Sequence, residues 1–162
     1  MASVQKGNTM LLHTAGYEGL NIDDFVQGLC DAGVDQIIDV RQYPISRKRG
    51  FSKNALASRL AEEGIAYLHI RELGCPKPIR EQYKVDANWR RYEQDFVKYV
   101  STQGAALERV ALETKTKRPC LVCFEADAAF CHRRLVAEAT QTRQPRLKIG
   151  HLAIKKAPVA VI

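Results

Sequence analysis

Short apolar runs of strand length alternate with helix-like segments along almost the whole chain, and this alternation most constrains the fold. The runs that predict strands lie at residues 9–15, 36–40, 65–70, 120–124 and 148–152. Apolar residues at helical spacing, bounded by capping residues or glycines, predict helices over residues 22–32, 53–63, 89–100, 105–114 and 131–142. This order predicts an α/β fold with a mostly parallel sheet of about five strands and helices on both faces.

We expect the 162 residues to form a single domain, because a chain of this length with 46% hydrophobic residues supports one sizeable core. Residues 153–162 are expected to form a tail. No apolar run approaches the roughly 18–20 residues that cross a bilayer, and Gln5–Thr9 are polar where a signal peptide needs apolar residues. We therefore expect a cytoplasmic protein with no membrane partner.

The cysteines of the chain do not form the pattern of a disulfide-stabilised domain. There are five, an odd number, and only Cys120 and Cys123 have the short CxxC spacing. Small disulfide-rich domains usually carry an even number of cysteines. We therefore expect reduced thiols.

The charge of the chain favours anionic partners. The formal net charge is +7 and the isoelectric point is near 9.3, which suits an anionic small molecule or a nucleic acid equally well. Five cations lie within positions 41–53, directly after a predicted strand, where a basic loop can contact phosphates. The common glycine-rich loops for dinucleotides and ATP are both missing from the sequence, so neither of those binding modes is expected.

A group of reactive side chains follows the predicted strand at 120–124. The chain presents Cys123, Glu125, Cys131, His132 and Arg133 around the turn between that strand and the next predicted helix. In open α/β sheets such turns bind ligands. Both the dipole of a helix N-terminus and neighbouring cations lower the pKa of a thiol. The segment therefore predicts thiol chemistry or anion binding.

Polar residues also follow the other predicted strands. In a parallel sheet all strand-to-helix loops lie at one edge, so residues far apart in sequence are expected to meet there. These residues are Tyr17, Glu18, Asp39, Arg41, His69, Arg71, Glu72 and the members of the 125–133 segment. The sequence thus predicts one site at the carboxyl edge of the sheet.

Several of these motifs resemble an uncharacterised protein family, domain of unknown function 488, over nearly the whole chain. The motifs are Gly16-Tyr-Glu-Gly19, Asp39-Val-Arg41, Gly50-Phe-Ser-Lys53, Leu73-Gly74, and Cys123-x-Glu125 followed by Cys131-His-Arg133. The resemblance implies a compact α/β domain with a shared site and no established reaction. Cys75 departs from the family pattern, which has a second glycine there, so Cys75 is not expected to be a shared catalytic thiol.

From these residues we predict an enzyme that acts on an anionic, phosphate-bearing substrate. The candidate catalytic residues are Cys131, as nucleophile or redox-active thiol, and His132 and Glu125, as proton-transfer or orienting groups. The candidate substrate-binding residues are Tyr17, Glu18, Asp39, Arg41, Arg47 and Arg133, of which the arginines hold the anion. The structural alternative is simple packing for Cys131 and internal ion pairs for the carboxylates.

Two other classes of function stay open. One is a non-catalytic module that binds nucleic acid through its basic surface. The other is a metal- or redox-sensing protein, since thiolates and imidazole are ligands that zinc prefers. Cys123, Cys131 and His132 lack the spacing of a zinc finger or ribbon, and a fourth ligand such as His69 or His13 has to come from another loop. The prediction therefore contains no metal site and names no cofactor.

Overall fold

The structure is a computed structural model that describes residues 9–158. Its strands are β1 (Met10–Gly16), β2 (Gln36–Asp39), β3 (Ala66–His69), β4 (Pro119–Cys123) and β5 (Leu147–His151). Its α-helices are α1 (Ile22–Asp31), α2 (Lys53–Glu62), α3 (Lys77–Asp86), α4 (Trp89–Val100), α5 (Gly104–Glu113) and α6 (His132–Arg143). The five strands form one parallel sheet in the order β3-β2-β4-β1-β5, which confirms the predicted α/β fold.

Helices cover both faces of the sheet, because successive residues of a strand point to opposite sides. In β2, Ile37 packs into a core formed with α1 and α2, whereas Ile38 packs into a core formed with α4, α5 and α6. In β4, Cys120 packs into the core with α1 and α2, and Leu121 packs into the core with α4, α5 and α6. The central strands are therefore buried on both faces.

Local sequence explains where α1 begins and ends. The Asn21 side chain accepts a hydrogen bond from the Asp24 backbone amide at 2.8 Å and so caps the first turn. Gly33 follows the last turn with a φ of +74°, a conformation that suits glycine. Phe25 and Leu29 lie at helical spacing and are fully buried.

The connection from β3 to β4 contains a helix for which the sequence analysis makes no prediction. Gly74, Pro76 and Pro78 predict a long connection whose first part is not helical throughout, and residues 74–76 lie outside any helix, whereas Lys77–Asp86 form α3. Pro78 is compatible with this helix because it lies in the first turn, where backbone amides have no partner within the helix. Ala87, with a φ of +50°, ends α3, and Asn88 then caps α4.

The connections of β1 and β4, which are neighbours in the sheet, run in opposite directions. From β1 the chain crosses the α1 face to β2, and from β4 it crosses the α6 face to β5. In open α/β sheets, ligands bind where the connections of neighbouring strands diverge in this way. The expected ligand site therefore lies outside the carboxyl ends of β1 and β4.

Some expectations concern the ends of the chain and its relation to membranes. Among residues 9–158, no helix is long and apolar enough to cross a bilayer. Residues 153–158, part of the predicted tail, have no regular structure, although Ile154 packs on Gly28 of α1. Residues 159–162 of the predicted tail and the polar segment before Thr9 lie outside the described residues.

Candidate thiol and imidazole site

Two thiols and one imidazole meet at the carboxyl end of β4. Cys123 is the last residue of β4, and His132 is the first residue of α6, with Cys131 at the N-cap position. The two Sγ atoms and a ring nitrogen of His132 all lie within 4.8 Å of one another. All three residues are buried, and Cys131 is only 1% exposed. We call these three residues the thiol–imidazole centre.

The orientation of His132 is set by a backbone carbonyl. Its Nε2 lies 2.7 Å from the carbonyl oxygen of Val40, so Nε2 carries a proton and donates it to that oxygen. This leaves Nδ1 facing the thiols, at 3.5 Å from the Cys123 Sγ. The Phe96 ring packs edge-on against the imidazole, with centroids 5.4 Å apart. The imidazole is therefore held with Nδ1 toward the sulfur atoms.

The two thiols of the centre differ in acidity. Burial opposes ionisation of Cys131, but the neighbouring Cys123 and His132, together with the charges of His132 and Arg133, bring its pKa well below the usual value. The pKa of Cys123 is raised, first by the neighbouring Cys131 and then by burial. Cys131 is therefore the more acidic thiol of the pair.

The pKa values of His132 and Glu125 are both raised by the neighbouring Cys131. Burial lowers the pKa of His132, but the proximity and negative charge of Cys131 outweigh burial and raise it. Burial raises the pKa of Glu125, and the charge of Cys131 adds to that shift. The Glu125 carboxyl lies beside the centre, with Oε2 3.4 Å from the Cys123 Sγ. The structure thus brings together the three predicted catalytic residues, Cys131, His132 and Glu125.

Arg133 holds the loop that follows β4. Its side chain is fully buried, and it donates to the backbone carbonyls of Glu125 and Ala126 and to the Thr14 hydroxyl. Each nitrogen of the guanidinium thus has an acceptor within the protein. These bonds join the start of α6, the loop after β4 and the sheet.

Gly16 lets the loops after β1 and β4 approach each other. A Cβ atom at this position would lie 1.7 Å from the carbonyl oxygen of Glu125, which only a residue without a side chain avoids. On the other side of this contact, Glu18 accepts a hydrogen bond from the Ala126 amide at 3.0 Å. Glu18, a predicted substrate-binding residue, is therefore an exposed side chain that also fixes the loop carrying Glu125.

Asp39 and Arg41 form a buried ion pair next to the centre. Arg41 donates from Nε and Nη2 to the two carboxylate oxygens of Asp39, at 2.9 and 2.7 Å. Its remaining nitrogen donates to the Phe51 carbonyl at 2.6 Å and to the Tyr17 hydroxyl at 3.2 Å. Val40, which binds His132, lies between the two residues of the pair. The pair therefore fixes the backbone that orients the imidazole.

The remaining predicted substrate-binding residues lie in different environments. Tyr17 is buried and stacks on Phe51, with ring centroids 4.3 Å apart. Arg47 is exposed in the basic loop between β2 and α2. The structure thus places Tyr17 inside the protein and leaves Arg47 at its surface.

The histidines weighed as a fourth metal ligand lie elsewhere. His69 Nε2 is 2.8 Å from the carbonyl oxygen of Arg41. His13 is buried in β1, and among residues 9–158 its Nδ1 has no hydrogen-bond partner. Neither belongs to the group of ligand atoms that includes Cys123.

Cys75, which is not expected to be a shared catalytic thiol, lies near the site. It is buried behind the centre, in the same core as Cys123, Cys131 and Tyr92. Burial raises the pKa of its thiol to about 11, and the charges of Glu125 and Cys131 add to that shift. A signal was present in the sequence, because Cys75 follows β3 and so belongs to the same edge as the other motifs. Its departure from the family pattern had argued against a shared role.

The fold and the centre define a class of protein: a parallel α/β protein with two thiols, an imidazole and a carboxyl group at the carboxyl edge of its sheet. Residues 21–140 match the family described as Domain of unknown function DUF488, and the chain belongs to that family. The match extends from the cap of α1 into α6 and includes the whole thiol–imidazole centre, whereas the Gly16–Gly19 motif lies just before it. Searches of curated proteins and of solved structures gave no match.

Proposed function

We propose that this protein is an enzyme that acts on an anionic, phosphate-bearing substrate, such as a nucleotide or a nucleic acid, at the carboxyl edge of the sheet. The observation that carries the proposal is the meeting of Cys123, Cys131 and His132 at the start of α6, with Glu125 beside them. Nucleophilic thiols of enzymes occupy this setting, at a helix N-terminus with an imidazole neighbour.

Cys131 is the nucleophile of the proposed reaction. Its sulfur forms a bond to an electrophilic centre of the substrate while the bond to the leaving group breaks, and Glu125 gives its proton to that group. Water then attacks the covalent intermediate, Glu125 takes a proton from this water, and the sulfur leaves as the thiolate. His132 stays protonated and stabilises the thiolate before and after the two steps.

The substrate anion has two sources of attraction at this edge. The first is the N-terminus of the 12-residue helix α6, whose free amides attract negative charge. The second is the basic loop with Arg47, Lys48 and Arg49, none of which forms an ion pair with another residue in the 9–158 part. Arg41 and Arg133 position the loops instead, because their donors already bind internal acceptors.

Access to the nucleophile requires a local movement. Cys131 is only 1% exposed, and the loop that includes Glu125 joins Cys123 to Cys131. We propose that this loop opens before attack on a substrate. The loop is short and rests on the contacts of Arg133, Gly16 and Glu18.

The proposal is tested by a screen of nucleotides and phosphate esters in the presence of a chelator. We expect turnover by the wild type and by Cys30→Ser, a control on α1, on the far side of the sheet from α6. Glu125→Gln is expected to lower the rate about 10²–10⁴-fold, the usual contribution of a general acid. Cys131→Ser is expected to abolish turnover. Full activity of both Cys131→Ser and Glu125→Gln would refute the proposal.

A second candidate is a nucleic-acid-binding module without chemistry. Next to the unpaired cations of the basic loop, Tyr43 and Ile45 are 52% and 82% exposed, and the Arg71 guanidinium lies 5.2 Å from the centre of the Tyr43 ring. Exposed aromatic residues among cations are typical of single-strand binding. This candidate predicts salt-dependent binding to single-stranded DNA or RNA. The log–log slope of affinity against salt concentration is expected to decrease in magnitude by about 1.4 in an Arg47→Ala, Arg49→Ala variant. Unchanged binding in that variant, or none at low salt, would exclude it.

A further inference from the structure

One sulfur–nitrogen pair of the thiol–imidazole centre has the separation of a tetrahedral metal site, and the second sulfur lies nearby. Zinc binds sulfur at about 2.3 Å and nitrogen at about 2.0–2.1 Å, so a sulfur and a nitrogen on one tetrahedral zinc lie about 3.6 Å apart. The Cys123 Sγ and the His132 Nδ1 are 3.5 Å apart. The Cys131 Sγ lies within 4.8 Å of both. A small shift of one side chain completes the geometry.

We infer that Cys123, Cys131 and His132 form a binding site for a soft divalent cation, with zinc as the fitting ion. Two thiolates and one imidazole are a ligand set that zinc prefers over the oxygen-seeking cations magnesium and calcium. The inference goes beyond the proposed enzyme and does not rest on it, since the site can hold a metal whether or not Cys131 reacts with a substrate.

The orientation of His132 supports the site independently of its distances. Metal-bound histidines usually donate their second ring N–H to a carbonyl or carboxylate, which fixes the tautomer and the ring plane. His132 makes this bond from Nε2 to the Val40 carbonyl at 2.7 Å and turns Nδ1 toward the sulfur atoms. The Asp39–Arg41 pair in turn fixes Val40.

The burial and charge of the centre also suit an ion. Cys131 is 1% exposed, so an ion reaches it more readily than a large substrate does. Two thiolates and a neutral imidazole neutralise a divalent cation, which removes the cost of an uncompensated buried charge. The ligands come from the end of β4 and the start of α6, two rigid elements. The sequence spacing does not reveal the site because the fold, not a short loop, brings the ligands together.

A fourth position is left for a ligand from outside the set of three. Among residues 9–158, no fourth cysteine, histidine or carboxylate has a ligand atom within 4.8 Å of all three of these atoms. Glu125 comes nearest, with Oε2 3.4 Å from the Cys123 Sγ, and can hydrogen-bond a water at the open position. Zinc sites with three protein ligands and one water are the catalytic type, whereas four protein ligands are usual in structural sites.

Metal occupancy and the proposed thiol chemistry exclude each other. A Cys131 sulfur bound to zinc has its lone pair engaged and is no longer a free nucleophile. Zinc would therefore inhibit the proposed reaction, and a chelator would restore it. This inhibition rests on the proposed function, whereas the metal site itself does not.

The test is a titration of the reduced, chelator-treated full chain with Co²⁺, a spectroscopic substitute for zinc. We expect one Co²⁺ per chain, tetrahedral visible bands, a sulfur-to-cobalt charge-transfer band of two thiolates, and displacement of cobalt by Zn²⁺. Cys123→Ser and Cys131→Ser are each expected to remove half of the charge-transfer band. They should also weaken binding by more than the roughly 10–100-fold that loss of an orienting residue costs. Cys30→Ser and Cys75→Ser serve as controls and are expected to bind as the wild type does.

The inference is overturned if the folded wild type binds no Co²⁺ or Zn²⁺ saturably, or if both serine variants at positions 123 and 131 bind as the wild type does. If a serine variant does not fold, the wild-type charge-transfer band decides, because fewer than two thiolate ligands also overturns the site. Failure of the metal site can be distinguished from failure of the proposed enzyme, because the turnover of the enzyme is measured in the presence of a chelator. Turnover without metal binding refutes only the metal site, and metal binding without turnover refutes only the enzyme.

Discussion

Replacing Gly16 by alanine is expected to displace the loop that carries Glu125. A Cβ atom at this position would lie 1.7 Å from the Glu125 carbonyl oxygen and 2.5 Å from its carbonyl carbon. Neither atom belongs to a flexible side chain, so the backbone of one loop has to move. The same carbonyl accepts a hydrogen bond from the buried Arg133. Movement therefore breaks the contact between the loop and α6.

The expected size of this effect is the sum of two contributions. Overpacking of a tightly packed region costs about 1–3 kcal/mol. Loss of a hydrogen bond from a charged donor such as Arg133 costs a further 1.5–3 kcal/mol or so. We therefore expect Gly16→Ala to lower the free energy of unfolding by about 2.5–6 kcal/mol. For a chain of this size that corresponds to a fall in Tm of at least about 5 °C.

Urea unfolding followed by circular dichroism measures this difference, and Gly150→Ala is the matched control. A Cβ atom at Gly150, in the neighbouring strand β5, meets its nearest atoms at an ordinary 3.8 Å. Gly150→Ala is therefore expected to change stability by less than about 1 kcal/mol. Equal midpoints for Gly16→Ala and the wild type would refute the argument that the two loops are in direct backbone contact.

Two further predictions concern ion pairs. Asp39→Asn leaves the buried Arg41 without its counter-charge and is expected to lower the free energy of unfolding in urea by about 3–5 kcal/mol. Asp23→Asn, at an exposed pair, is expected to cost less than about 1 kcal/mol, and equal costs would contradict the structural role of Asp39. The pKa of Glu113 is lowered, first by its hydrogen bond to Lys117, so its stabilisation is present above its unfolded pKa of about 4.3 and is lost as the pH falls through the folded pKa. Glu113→Gln is accordingly expected to be less stable than the wild type at pH 7 by up to about 1 kcal/mol and equally stable near pH 2, and a constant difference would contradict this assignment.

The fold follows from the sequence where the pattern alone decides the structure. Five strand-length apolar runs alternating with helical segments leave few arrangements besides a parallel α/β sheet, and the family match agrees with the resemblance. Helix α3 is not predicted, because Gly74, Pro76 and Pro78 favour an irregular start to this connection. Pro78 lies in the first turn, where a proline needs no hydrogen-bond partner.

The candidate site follows from the sequence only in part. Topology predicts that Cys123, Glu125 and His132 share one edge, and the structure brings them together. What the sequence does not reveal is which arginines have free donors. Arg41 and Arg133 donate to backbone carbonyls several residues away in sequence. Every residue has a backbone carbonyl, so no sequence motif marks the acceptors. For the same reason, the orientation of the imidazole by the Val40 carbonyl has no sequence signal.

The proposed chemistry depends on an acidic thiol at Cys131, beside Cys123 and His132. The most direct test is the thiolate absorbance at 240 nm of the metal-free protein as a function of pH, compared between the wild type and Cys131→Ser. The pKa of Cys131 lies below the usual value, so we predict that the wild type gains one thiolate at a pH below the usual thiol pKa of about 8.5 that Cys131→Ser does not gain. Cys123→Ala removes the neighbouring thiol, which favours ionisation of Cys131, and is predicted to move the Cys131 titration to higher pH. Identical absorbance of the wild type and Cys131→Ser up to pH 9 would contradict the account.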